Sequence, residues 1–303
     1  MDKLPNPIDY AIPAFVILIL IEMIIAKYRA PHRYEPRDTL TSLMLGFGSS
    51  IAGLLVGGMA YSIAMTGYDY RIMTVPPLWW AFLLCFVLDD FAYYVFHRAA
   101  HQVRWFWASH VNHHSSQHYN LSTALRQTWT GFFAISFIFR LPLVLIGFDP
   151  AMVLFVGAIN LIYQFWIHTE VIGRMPRWFE AVMNTPSHHR VHHGVNPRYL
   201  DCNYAGVFII WDRMFGTFTR EDEREPVRYG IVKQLGGFNL LWGVFHEWVA
   251  IFTDLWRAPW GAKLGYLIKP PGWSHDGSRE TSDMIKARWE ERAAMPTPTA
   301  HAE

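Results

Sequence analysis

Cysteine is scarce in this chain of 303 residues. Only Cys85, inside an apolar stretch, and Cys202 are present, too few for a disulfide framework and with no Cys-x-x-Cys pair to hold a metal. Charge is scarce as well. Asp, Glu, Lys and Arg make up 17% of the residues and the formal net charge is +1, a balance that indicates no nucleic-acid partner. No repeat of solenoid length is visible, and low complexity is confined to the tail PTPTAHAE, expected to be disordered. A last absence concerns histidine: none has a glutamate three residues before it, so the Glu-x-x-His motif of soluble di-iron bundles is missing.

What the chain has in quantity is apolar sequence, 52% of its residues, gathered into runs. Tyr10 to Ala26 contains one acid, Glu22, and is long enough to cross a hydrocarbon core of ~30 Å with help from its flanks. Its rival reading, a cleaved signal peptide, lacks a strongly basic start and a small-residue cleavage site. Further stretches run from Thr41 to Met65, Pro77 to Phe96, Thr128 to Gly147 and Ala151 to Ile167, each near spanning length. The last two form a tight hairpin, crossing or re-entrant, and Arg140 within it must face protein or water rather than lipid. Lys27, Arg29, Arg33 and Arg37 follow the first run, so the positive-inside rule places that loop in the cytoplasm. Alternation of the spans then puts His97 to Thr128, and His168 with His188 to His193, on the same side.

Ten of the fifteen histidines are packed into three clusters and one isolated site between His97 and His193. They read HRAAH (His97, His101), HVNHH (His110, His113, His114) and HHRVHH (His188, His189, His192, His193), with His168 alone between the last two. Residues three and four apart share a helical face, so each cluster can aim several imidazoles at one centre. Packing alone does not account for such clusters, because crowded neutral imidazoles need partners for both nitrogens and protonated ones repel. One ion takes about four ligands, so this number of imidazoles suits two ions in one cavity. Imidazole alone does not choose the metal. A nitrogen-rich site at a membrane face, under a bundle able to hold a lipid tail, favours iron over redox-inert zinc.

The stretches DFAYYVFHRAAH, HVNHHSSQHYNLSTALRQ, QFWIHTE, NTPSHHRVHHG and NPRYLDCNYAGVFIIWDRMFGTF, together about Asp90 to Phe218, resemble the fatty acid hydroxylase and sterol desaturase superfamily of integral-membrane di-iron enzymes. Within it they are most similar to alkylglycerol monooxygenase-like proteins. The resemblance implies ligation of two iron ions by His97, His101, His110, His113, His114, His189, His192 and His193, with His168 and His188 as additional ligands. It also implies molecular oxygen as oxidant, a membrane lipid as substrate and, for the ether-lipid branch, tetrahydrobiopterin as reductant. The alternative within the enzyme class is a sterol, fatty-acid or carotenoid hydroxylase or desaturase fed by ferredoxin or cytochrome b5. The non-enzyme alternative is a membrane metal transporter or a haem carrier.

Helical spacing nominates supporting residues. Asp90 lies two turns before His97 on the same face, with Asp89 beside it, and a buried carboxylate commonly holds a ligating imidazole in the needed tautomer. Glu170 and Arg190 are the other candidates for catalytic support, while Asn196, Asp201 and Asn203 are expected to shape the turn after the third cluster. Thr185 followed by Pro186 reads as a helix start, and residues 203 to 218 as a cap over the cavity. The expected whole is an all-α integral membrane protein of about four to five transmembrane or re-entrant helices with a cytoplasmic histidine-rich cap, in an inner or plasma membrane. Its expected parts are N-terminal membrane helices (1–76), a di-iron catalytic domain (77–218), a linker and interfacial helix (219–270) and a polar tail (271–303).

Overall fold

The computed structural model describes residues 4–30 and 33–294, so His32, His301 and the tail 296–303 lie outside the described residues. Those described fold as helices without a strand; the β-type contacts are isolated bridges, Met183 with Phe208 and Gly194 with Tyr229.

Helices α1 (Pro7–Arg29), α2 (Pro36–Asp69) and α3 (Trp79–Gln102) are each long and apolar enough to cross a membrane. The first two starts follow from local chemistry. Asn6 caps α1 by accepting the Ile8 N–H, Glu35 caps α2 by accepting the Asp38 N–H, and each of these two helices has proline at its first position. Lys27 and Arg29 close α1, where cations complement the helix dipole. Over most of their length α1 and α2 bury little against the protein: the buried residues of α2 stop at Leu45. An apolar surface left bare in this way is satisfied by lipid.

The hairpin resolves into two unlike halves. Residues 128–147 descend as irregular turns, a short 3-10 helix (Ser136–Phe139) and α5 (Leu141–Ile146), then α6 (Pro150–Trp166) returns as a regular helix. Trp129 packs against Gly48 of α2 and Leu141 against Gly67, so the irregular half tracks α2 for roughly 28 Å at 1.5 Å per residue. Five regular crossing helices are therefore not what this sequence forms. Pro142 at the start of α5, together with Ile135 in the left-handed region, breaks the fourth expected helix. Such backbone is tolerated at membrane depth where protein covers it, and Arg140 meets that condition through its 2.6 Å pair with Asp89. At the far end the turn must contain glycine: Gly147 has φ 131°, and a side chain there would strike the Met73 carbonyl. Val75 N–H donates to the Gly147 carbonyl, fixing the hairpin tip to the α2–α3 loop.

The opposite end of the bundle carries the histidines. After α3 come α4 (Arg104–His114), then α7 (Arg177–Val182), α8 (Pro186–His192) and α9 (Ile210–Met214). Helix α10 (Leu240–Arg257), two one-turn helices α11 (Trp260–Lys263) and α12 (Gly265–Ile268), and the polar α13 (Ser282–Ala294) complete the cap. The basic loop after α1 meets this same end: Asn120 donates to the Arg33 carbonyl, Arg126 pairs with Asp38 at 2.6 Å, and Arg33 lies 3.5 Å from Glu170. The mixed charge run at 220–228, within the expected linker, is tied to the cap through Glu221 to Arg190 and Asp222 to Arg198.

Candidate metal centre

Nine of the ten nominated histidines converge in two adjoining groups. His97, His101, His110, His114 and His192 form one, and His113, His168, His189 and His193 the other; within each, one ring nitrogen per residue lies within 4.8 Å of all the rest. Helical geometry accommodates the division once the helices are packed. On α4 the neighbours His113 and His114 point about 100° apart, so one serves each group, and at the end of α8 the successive His192 and His193 also go one to each. His168 arrives from just past the end of α6.

His188 does not join them. One residue before His189, it projects from another face of α8, where its Nε2 stands 4.0 Å from Glu180 and its ring packs on Phe218. The structure thus places this nominated ligand beside Glu180 and apart from both groups. The start of α8 also differs from expectation in detail. Thr185 occupies the N-cap position, yet its side chain makes no capping bond; the hydroxyl donates to Glu180 instead.

The outer nitrogens of the rings are held by groups that only accept. His97 Nδ1 donates to the Tyr204 carbonyl (2.7 Å), His192 Nδ1 to Cys202 (2.9 Å), His168 Nδ1 to Gln164 (2.7 Å) and His113 Nδ1 to Arg126 (3.2 Å). His101 Nδ1 donates to the Asp201 carboxylate at 3.2 Å. A proton fixed on Nδ1 leaves a lone pair on Nε2. His113 Nε2 and His168 Nε2 therefore present two lone pairs to each other at 3.3 Å, and His101 Nε2 is buried without a partner. Facing lone pairs in a desolvated pocket are costly until a cation sits between them. The donor set fits bound metal in both groups.

Proton affinity points the same way. Burial, reinforced by neighbouring imidazoles, holds His110, His114, His189, His192 and His193 well below the ordinary histidine range, and burial takes His168 down to about 4. The folded state thus takes up fewer protons than the unfolded one below the usual value of 6.5. The resulting penalty is absent above that pH and grows as pH falls toward about 4, so metal-free protein loses stability across this window. Metal uptake has few protons to displace at neutrality. Bound metal is expected to persist as pH drops through 6.5 and to leave only on approach to about 4, as elemental analysis after gel filtration at each pH would show. Release starting at 6.5 would mean that the imidazoles titrate as exposed ones.

The nominated supporting residues act at one remove. Asp90 reaches no histidine. Its carboxylate accepts the Val207 and Phe208 N–H groups, Trp211 Nε1 and Asn160 Nδ2, at 2.8 to 3.0 Å, and so holds residues 203–218 against the bundle. Gly206 lets that segment approach, since a Cβ there would lie 2.8 Å from Asp90 Oδ1. Arg190 binds Glu221 and the carbonyls of Thr169 and Ile172, fixing the loop after His168. Glu170 accepts from Tyr229, which stacks on Tyr119, whose ring packs on His168 and His193.

Two carboxylates not nominated for the site do more. Asp212 receives the N–H groups of Tyr204 and Ala205, and burial pushes its carboxyl up to about 6. Asp201 has the sole carboxylate in contact with one of these nine histidines among the described residues. Burial would raise its carboxyl, but the His101 hydrogen bond prevails and holds it below its usual range. Asp201 and Asn203 both sit in the left-handed region, as expected of a turn, and that conformation turns the Asp201 side chain toward His101. Asp201→Ala is expected to weaken metal binding roughly 10- to 100-fold, the usual effect of losing such a support, measurable by competition with a chelator.

A cavity of about 730 Å³ opens beside the five-histidine group, reaching His101, His114 and His192 and walled by α10 and residues 230–235. That is ample room for a small organic molecule.

Comparison with known proteins agrees with this geometry. Residues 82–217 match the family model described as fatty acid hydroxylase. The chain is 42% identical over 286 residues to alkylglycerol monooxygenase of Homo sapiens, covering 90% of this chain and 61% of that protein. Identity to the Danio rerio enzyme is 38% over 309 residues, 98% of this chain and 67% of that one, and to the Xenopus tropicalis enzyme 39% over 278 residues, 90% and 61%. The chain thus spans about three fifths to two thirds of the length of these relatives. No solved structure matches it.

Proposed function

This chain belongs to the fatty acid hydroxylase family, in the group that includes the alkylglycerol monooxygenases, and we propose that it is a membrane oxygenase that hydroxylates a lipid chain and so cleaves alkylglycerol ethers. The observation that carries this reading is the pair of convergent imidazole groups with a partly apolar cavity beside the five-histidine one. Two iron ions, one held by each group, would activate molecular oxygen for attack on an unactivated C–H bond.

The protein's own part is positioning and exclusion. Neutral imidazoles with their protons fixed outward keep the ligand lone pairs directed at the ions, and Asp201 raises the basicity of His101. Part of the cavity beside them is lined by Val111, Leu200, Ile231 and Val249, where an aliphatic chain is favoured over water, and charged residues such as Arg104, Glu247 and Asp254 line another part. Hydroxylation at the carbon beside an ether oxygen consumes O2, two electrons and two protons and releases water. The hemiacetal formed then collapses to a fatty aldehyde and glycerol. The electrons come from a diffusible reductant, which we take to be tetrahydrobiopterin. The basic loop around Arg33 packs on the histidine-bearing end, and by the positive-inside rule we place that end in the cytoplasm.

Membranes containing the protein, given oxygen, tetrahydrobiopterin and an alkylglycerol, are expected to release fatty aldehyde, detected by mass spectrometry. Hydroxylation of a sterol or free fatty acid with ferredoxin and its reductase, with no aldehyde under pterin, would withdraw the ether-lipid assignment.

A further inference from the structure

Helix α10 presents three different faces. At 100° per residue, Val244, Trp248 and Ile251 fall on one side and are buried against α4 and the irregular half of the hairpin, where Trp248 packs on Trp105 and Phe133 and donates to Thr130. Turning one way brings up Leu241, Phe245, Phe252 and Trp256, apolar and exposed by 63, 40, 52 and 88%. Turning further brings up Trp242, His246, Ala250, Thr253 and Arg257, all lining the cavity beside the five-histidine group. The exposed edge and the cavity wall are therefore adjacent stripes of one helix, and Val249 belongs to both.

The exposed stripe continues a surface that already faces lipid. Trp248 joins α10 to Phe133 in the intramembrane hairpin, Phe133 is itself bare, and so are Leu43, Met44 and Phe47 on the adjoining span α2. Beyond Arg257 the chain adds Trp260, Leu264 and Ile268, also exposed, with Lys263 over the Trp260 ring. Aromatic and aliphatic groups interleaved with cations are the composition of a helix lying in the headgroup region. A water-facing helix would bear a polar stripe there instead.

We propose that the lipid chain reaches the metal centre sideways, out of the adjoining leaflet, along the cavity between α10 and residues 230–235, with the exposed edge of α10 seated in that leaflet. The inference rests on the lipid-oxygenase reading and adds the route. The apolar lining residues Val111, Leu200, Ile231 and Val249 would carry the alkyl chain toward His101, His114 and His192, and polar lining residues such as Lys233, Gln234, His246 and Arg257 would hold the polar head. The chain thus need not leave the membrane to meet the cytoplasmic end of the bundle.

The test requires no turnover. Both native cysteines are buried, so single cysteines introduced as Phe252→Cys and Glu290→Cys can carry a fluorophore in iron-loaded protein embedded in nanodiscs. Nitroxide lipids labelled near the headgroup should quench the probe at 252 severalfold more than the one at 290 on α13. A 1-O-alkylglycerol with a diazirine in its chain should form adducts within residues 249–253 and 231–235. Ala250→Trp, which fills the cavity, should remove most of those adducts while leaving iron content and quenching of the label at 252 unchanged. Two outcomes overturn the proposal. One is equal quenching at 252 and 290; the other is adducts falling instead on Phe96, Phe137 and Phe139 around the smaller intramembrane cavity. Adducts in the expected places without aldehyde formation would remove the proposed reaction and leave the route standing, whereas aldehyde formation with adducts at Phe96 would do the reverse.

Discussion

His113→Ala is expected to release about half of the bound iron and to lower turnover to background, because the group it serves has four donors, one fewer than its neighbour. Three imidazoles remain after the substitution, and the Nε2 of His168 loses the partner that stood 3.3 Å away. The prediction is specific to position. His188→Gln alters a residue of the same type in the same histidine-rich stretch, but one directed at Glu180, and should retain all of the iron. Elemental analysis of the two variants, purified alike without chelator, separates ligation from general histidine content. Equal iron in both would remove His113 from the ligand set, and equal loss in both would mean that the clusters act through folding instead.

The contrast between these two histidines also marks how far the sequence alone reaches. Spacing of three and four residues is a property of one helix, so the convergence of His97 with His101, and of His110 with His114, is legible in the residues themselves. The division into two groups is not. It depends on how α4, α8 and the end of α6 approach one another, and adjacent residues such as His188 and His189 part company there. The spans α1 to α3 are legible for a similar reason, each being a single long apolar helix. The first half of the hairpin reads as a regular helix because hydropathy measures what lipid accepts and says nothing of backbone broken at Ile135 and Pro142 and covered by α2. Local pattern marks Asp201 only as a turn residue. Its carboxylate meets His101 across a hundred positions of chain, a contact that no short-range spacing encodes.

Asp90→Asn is expected to damage the site through structure rather than through chemistry at the metal. One Asp90 oxygen accepts from Asn160 and Val207, the other from Phe208 and Trp211. An asparagine must turn its NH2 toward one of these pairs, setting donor against donor and leaving two buried N–H groups without an acceptor, whichever way the amide lies. At ~1 to 3 kcal/mol for each unsatisfied group, the loss is about 2 to 6 kcal/mol. The segment released carries the Tyr204 carbonyl that fixes the His97 tautomer, with Asp212 left to hold Tyr204 and Ala205 alone. Asn160 is disturbed as well; it accepts from Gln164, whose carbonyl receives the His168 Nδ1 proton. The variant should therefore unfold at lower temperature and lose iron from both groups on dialysis, with turnover falling in proportion to the iron retained. If Asp90 instead served the reaction directly, its substitution would leave melting temperature and iron content intact and change the rate per iron. A thermal melt paired with turnover normalised to iron decides between the two, and constant activity per iron is the result expected.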